Sequence, residues 1–271
     1  ESTKHALDQI LATGERMSSF IISLYLEDSI HIDSRELIKT EGKPGSATVD
    51  FALTNPLIRE RLEKTERLVV IPGYIASNHN GETTTLGRGG SDYTAAIVAA
   101  ALNAEVLEIW KDVDGFMTAD PKKVEKAYTI ESLTYSEAME LSHFGAKVIY
   151  TPTLRPVYRE NIPILVRNTF NPESKGTLIT YKSDDLGRSP IKGISSIDHI
   201  DLVTLQGPGM VGVTGTSARL FGALAKGEVN IILITQASSE YSITFAVSPT
   251  HTEAASEAIS KEFEREISLN H

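Results

Sequence analysis

The stretch Gly87-Arg88-Gly89-Gly90-Ser91-Asp92 constrains the fold of this chain more than any other. Its glycines open backbone geometries closed to other residues and let the main chain approach a ligand closely. Ser91 or Asp92 can cap the small-residue helix predicted over Tyr93–Leu102, whose first N–H groups favour an anion. Arg88 adds a planar guanidinium fork that matches a carboxylate or a phosphate. The pattern is not the dinucleotide G-x-G-x-x-G, because Asp92 holds the sixth position. Nor is it a P-loop, since no Gly-Lys-Ser/Thr follows. A ligand-free tight turn would use the same glycines, and Arg88 tips the balance towards a site.

The flanking segments read as an α/β fold. Apolar spacing predicts a helix over residues 4–26, with Gly14 marking a break or a close backbone approach. A strand near Ser29–Ile32, a polar loop with Gly42, Pro44 and Gly45, and a helix over Pro56–Lys64 follow. Leu68–Tyr74 reads as a buried strand of a parallel sheet. Asn80-Gly81 sets a hairpin between Tyr74-Ile75-Ala76 and Thr83–Leu86. Val106–Trp110 is the next strand, then come helices over 135–143 and 144–158 and a strand over Ile162–Arg167. Strands alternating with helices predict an αβα sandwich around a mostly parallel sheet. The polar run from Tyr181 to Pro190 separates two domains, 1–182 and 191–271, with 183–190 as linker. Beyond it a β-α-β-β-α order is one strand short of a ferredoxin-like unit.

Length and composition narrow the function. At roughly 150 residues per domain, 271 residues suit one large or two modest domains. The longest apolar run, Ala95–Leu102, falls far short of the about 20 residues of a membrane span. With no cysteine, disulfides, thiolate metal sites and a cysteine nucleophile are excluded, and a reducing cytoplasm fits. A formal charge of −10 disfavours nucleic-acid or anionic-membrane binding.

Other segments are ambiguous by themselves. The loop Lys111–Pro121 carries Asp112, Asp114 and Asp120 directly after a strand, where ligands bind α/β sheets, although a solvated turn would look alike. Its acidic spacing does not fit a calcium EF-hand. Glu15-Arg16 could be an ordinary helix face, and Lys147 sits in an otherwise apolar stretch. No His-x-x-x-His occurs, so all seven histidines read as structural or surface residues and no metal ligand is assigned.

Together these segments resemble aspartate kinase, of the amino-acid kinase superfamily. The resemblance rests on Gly14–Ser19, Thr83–Ala96, Lys111–Phe116 with Asp120-Pro121, and Phe144–Val148, in order over about 170 residues. Leu233–Ile243 resembles the family's ACT regulatory domain, in wording closest to enzymes fused to homoserine dehydrogenase. The resemblance implies transfer of a phosphoryl group from ATP, with Mg²⁺, to the side-chain carboxylate of L-aspartate, the first step towards lysine, threonine and methionine. It implies that Glu15 accepts the substrate ammonium, that Arg88 forks onto its α-carboxylate, and that Ser91 and Asp92 act at the anion-binding helix start, Ser91 binding substrate and Asp92 ordering the reacting groups or the metal. Lys111, Asp112, Met117, Lys122, Lys147 and Val148 would line the ATP site, with Met117, Lys122 and Tyr150-Thr151 departing from the common family residues. Gln236, Gly209, Met210 and Val211 would bind an effector, threonine or lysine, in a cytoplasmic homodimer paired through ACT domains. The family's opening Lys-Phe-Gly-Gly motif does not occur, which implies a piece of a longer protein. A non-catalytic amino-acid-binding module and a glutamate or acetylglutamate kinase are the alternatives.

Overall fold

The computed structural model describes residues 2–42, 47–143, 148–150, 154–182, 191–236 and 241–269. Two units result, Glu1–Ser196 and Ile197–His271. The first runs through α1 (Ser2–Tyr25), β1 (Ser29–His31), α2 (Ser34–Leu37), β2 (Lys39–Glu41), β3 (Thr48–Val49), α3 (Phe51–Leu62), β4 (Leu68–Val70), β5 (Ile75–Asn78) and β6 (Thr83–Thr85). It continues through α4 (Gly90–Ala101), β7 (Leu107–Lys111), β8 (Ser132–Thr134), α5 (Tyr135–His143), α6 (Arg155–Arg159), β9 (Ile164–Asn168) and β10 (Thr177–Thr180). Strands pair as β1-β4, as β3-β2-β5-β6 and as β7-β9-β10-β8. The parallel pairs β1-β4, β2-β5, β7-β9 and β8-β10 are interspersed with antiparallel β2-β3, β5-β6 and β9-β10. The α/β expectation holds.

Small side chains explain the centre of this unit. Ala96 and Ala99 of α4 face one apolar core, with Leu107, Ile109, Leu133, Ile164 and Val166, while Ile97 and Ala101 face another, with Ile38, Ile58 and Ala76. A helix buried on opposite sides must be apolar all round, and alanine lets both layers come close. Its N-terminus emerges beside the glycine loop.

Helix α1 forms close to its expected span, with several of its apolar residues turned outward. It runs through Gly14 without a break, and a Cβ there would meet nothing within 4 Å. Its buried side carries Asp8, Ala12 and Ser19, while Ile10, Met17, Ile21 and Leu24 are each more than half exposed. Polar contacts hold it instead: Thr85 Oγ1 donates to Asp8 Oδ1 at 2.9 Å, and Ser19 Oγ hydrogen-bonds His31 Nε2 at 2.9 Å.

Other boundaries moved for local reasons. Helix α3 starts at Phe51 because Asp50 accepts from the N–H groups of Ala52 and Leu53, and it tolerates Pro56 inside. The strand expected through Tyr74 ends at Val70, because Pro72-Gly73 turns the chain. Residues 148–150 are not helical, so one helix over 144–158 does not form, and only α6 is described there. The short elements α2, β2, β3, β8 and β10 carry too few residues for a period to show.

The second unit orders β11 (Asp201–Gln206), α7 (Thr216–Lys226), β12 (Ile231–Thr235), β13 (Ser242–Val247), α8 (Thr252–Glu262) and α9 (Glu264–Ser268). Its antiparallel sheet has the order β11-β13-β12, the expected β-α-β-β-α arrangement. Leu220, Leu224, Ile243, Phe245 and Ala255 fill the core. The helix expected to reach Glu266 divides at Phe263, whose buried ring lies 4.5 Å under the Arg219 guanidinium. The expected linker, 183–190, lies outside the described residues. Residues 191–196, which composition assigns to the second domain, are held to the first: Ile194 N–H donates to Thr118 O at 2.8 Å, and Lys192 Nζ lies 3.1 Å from Glu137 Oε2. Among the described residues, no helix is long and apolar enough to cross a membrane.

Candidate functional site

A cleft of about 400 Å³ opens at the N-terminus of α4, lined by Glu15, Tyr74, Gly87, Gly89, Gly90, Ser91, Asp92 and Lys111. Four separate segments supply these residues. Gly89 caps α4 with φ 69°, a left-handed geometry natural to glycine, and no side chain caps the helix. The first turn of α4 therefore faces the cleft as an electropositive end. Asp92 in that turn pairs with Lys111 Nζ at 2.9 Å, and both side chains are mostly buried. Lys111 ends β7, on the sheet edge where the sequence places a ligand.

Close packing fixes the wall of the cleft. Gly73 lies so near Ser91 that an added Cβ would sit 2.9 Å from Ser91 Cα, and one at Gly90 would sit 2.6 Å from Tyr74 Cδ2. Tyr74 itself holds φ 72°, costly for a non-glycine residue. Its N–H donates to Thr94 Oγ1 at 3.0 Å and its carbonyl accepts from Leu86 N–H at 2.8 Å, so two partners impose the conformation. Tyr74 was missed in the sequence, where its only signal is its place directly after Pro72-Gly73.

Glu15 lines the cleft from α1, and its neighbour Arg16 ties that helix to Asp33. Arg16 Nε donates to Asp33 Oδ2 at 3.1 Å, and Arg35 forks onto the same carboxylate, Nε to Oδ1 at 3.0 Å and Nη2 to Oδ2 at 2.7 Å. Arg35 Nη1 also donates to Thr83 Oγ1 at 2.9 Å. Burial pushes the Asp33 carboxyl up, but hydrogen bonds from the Arg35 side chain and backbone and the charges of Arg35 and Arg16 outweigh it and hold it below the usual carboxylate value.

The remaining expected residues lie apart. Arg88 does not line the cleft; it is exposed, with its guanidinium 5.3 Å from the Tyr150 ring centroid. Asp112 and Lys122 are exposed, and the Met117 sulfur accepts a 3.5 Å hydrogen bond from Thr129 Oγ1. Val148 packs its side chain into the core, which leaves its backbone for any ligand. Lys147 lies outside the described residues. Nearby, Asp114 accepts from the side-chain amides of Asn168 at 2.8 Å and Asn171 at 3.1 Å, which ties its loop to the end of β9.

The second unit has a smaller pocket of about 150 Å³, lined by Met210, Val213, Gly215, Thr216, Ser217, Gln236 and Ile243. Of the four expected effector residues it takes Met210 and Gln236, whereas Gly209 and Val211 are not among its lining. Thr216, at the end of the expected glycine-rich loop, and Ser217, which the sequence did not single out, add hydroxyls at the start of α7.

The amino acid kinase family model matches residues 1–168, and an ACT domain model matches residues 203–263. The chain belongs to the amino acid kinase family. The chain is 39% identical over 260 residues to a bifunctional aspartokinase/homoserine dehydrogenase of Haemophilus influenzae, covering 94% of this chain and 32% of that protein. It is 36% identical to lysine-sensitive aspartokinase 3 of Escherichia coli, covering 90% of this chain and 55% of that one. The crystal structure of E. coli aspartokinase III with lysine and aspartate superposes with a TM-score of 0.77 at 33% identity, over 95% of this chain and 60% of that one. Clostridium acetobutylicum aspartate kinase gives a TM-score of 0.64 at 28% identity, over 94% and 75% respectively. The chain thus spans about a third of the bifunctional relatives and about half of the lysine-sensitive one.

Proposed function

We propose that this amino acid kinase transfers the γ-phosphoryl group of ATP to the side-chain carboxylate of L-aspartate, giving 4-phospho-L-aspartate and ADP, with an amino-acid effector bound in the ACT unit. The observation that carries the reading is the convergence of Glu15, Ser91, Asp92 and Lys111 on one cleft at the uncapped start of α4. Two anions must meet for this reaction, so catalysis consists of positioning and charge neutralisation. The E. coli aspartokinase III structure with aspartate and ADP, 32% identical with a TM-score of 0.71, agrees with that substrate pair.

Each residue has a role in this reading. Glu15 accepts the substrate ammonium. Arg88, at the end of a flexible stem on the rim, forks onto the α-carboxylate together with Ser91, which turns the β-carboxylate towards the phosphate. Lys111 and the α4 N-terminus stabilise negative charge, and Asp92 orders the groups around it. The phosphates carry Mg²⁺, which supplies charge neutralisation when bound; the Asp92 carboxylate, a hard oxygen donor, suits it. Asp112, Met117, Lys122, Lys147 and the Val148 backbone form the nucleotide side. Met210, Gln236, Thr216 and Ser217 hold the effector, threonine or lysine. Exposed Leu233 and Ile234 on the edge strand β12 support pairing of two copies through this unit.

Calorimetric titration tests the reading. The chain is expected to bind L-aspartate more tightly than L-glutamate, and to bind MgATP. Arg88→Ala removes a charged hydrogen bond worth roughly 1.5–3 kcal/mol, so aspartate affinity should fall about 10- to 150-fold. Effector binding without nucleotide or aspartate binding would leave only a regulatory module, and tighter binding of L-glutamate would favour the other kinase.

A further inference from the structure

Three side chains that do not line the cleft converge without serving either unit's proposed activity. Val49, Thr40 and Asn78 form one rung across β3, β2 and β5, and all three are buried. Glu41 follows Thr40 on β2 and points to the opposite face, while Asp50 and His79 directly follow the ends of β3 and β5. The chain order gives no hint of this grouping. The ligand atoms of these three residues lie within 4.8 Å of one another.

Asp50 is pre-set for a second partner. Its Oδ1 accepts from the N–H groups of Ala52 at 2.9 Å and Leu53 at 3.2 Å, which fixes the carboxylate at the start of α3. Its Oδ2 faces His79 Nε2 at 3.8 Å, too long for a hydrogen bond. One imidazole nitrogen and two carboxylates form a donor set for a borderline divalent ion, since imidazole suits zinc while magnesium and calcium take oxygen ligands. Zinc bonds of about 2.0–2.2 Å need donors closer than these, and Glu41 and His79, both exposed, have rotamer freedom to close the gap.

We propose that Glu41, Asp50 and His79 form a zinc-type metal site, with water completing the shell. An ion there braces β2, the start of α3 and the β5-β6 hairpin, which leads through β6 into the glycine loop. This revises the sequence expectation for His79, whose partners only the sheet register supplies.

Isothermal titration of the 271-residue chain with Zn²⁺ alone tests the proposal, with Mg²⁺ as the comparison probe. One Zn²⁺ per chain is expected, weakened more than about tenfold by His79→Gln or Glu41→Gln. Asp50→Asn keeps the helix cap, since asparagine caps as well as aspartate, and should weaken Zn²⁺ equally while circular dichroism stays unchanged. Zn²⁺ binding that survives His79→Gln and Asp50→Asn, no Zn²⁺ binding at all, or equal binding of Mg²⁺ would overturn it. Aspartate and ATP play no part in these measurements.

Discussion

At the scale of single residues, Asp33 has three roles: it caps α2, receives the fork of Arg35 in that helix and anchors α1 through Arg16. Its carboxyl titrates below the ordinary value in the folded state, so its contribution is fully present above about pH 4 and is lost as pH falls through the folded value. Asp33→Asn keeps a capping side chain but loses the charge, and is expected to cost about 1–3 kcal/mol at neutral pH. Urea unfolding from pH 7 to pH 2 should show a shallower acid decline in the variant than in the parent chain. Equal slopes would mean that the network adds nothing to stability. Glu15 and Ser91 were legible as site candidates because they lie in distinctive local sequence. Tyr74 was not, because its strained backbone depends on Thr94 and Leu86, twenty and twelve positions away in the chain.

At the scale of elements, the start of α4 depends on backbone approaches that admit no side chain. Gly73→Ala places a methyl group 2.9 Å from Ser91 Cα, a backbone atom that cannot swing aside. The Pro72–Tyr74 turn must then move and carry the cleft wall with it. We expect a loss of about 1–3 kcal/mol in stability and a larger fractional loss of aspartate affinity than of effector affinity. Thermal unfolding with calorimetry on the same sample separates the two effects. The small-residue composition of α4 announced a tightly packed helix. Helix α1 was legible from its apolar periodicity, while the side that faces inward is the one carrying Asp8 and Ser19, held by polar contacts.

For the whole molecule, two units with separate cores carry two separate pockets. Crossed titrations check that division of labour: Gln236→Ala should weaken lysine or threonine binding more than aspartate binding, and Arg88→Ala should do the reverse. A variant that weakens both ligands equally would contradict it.

The sequence by itself determined the α/β class, the β-α-β-β-α order of the second unit, the glycine loop opening α4 and the family resemblance. These are local properties: periodicity, turn residues and motif wording survive in one dimension. Tertiary structure alone decided that Glu15 reaches the cleft holding Asp92 and Lys111, that Arg88 rests beside Tyr150, and that Glu41, Asp50 and His79 share one face. Each grouping joins residues from separate elements of the chain, and strand register and helix packing set their distances.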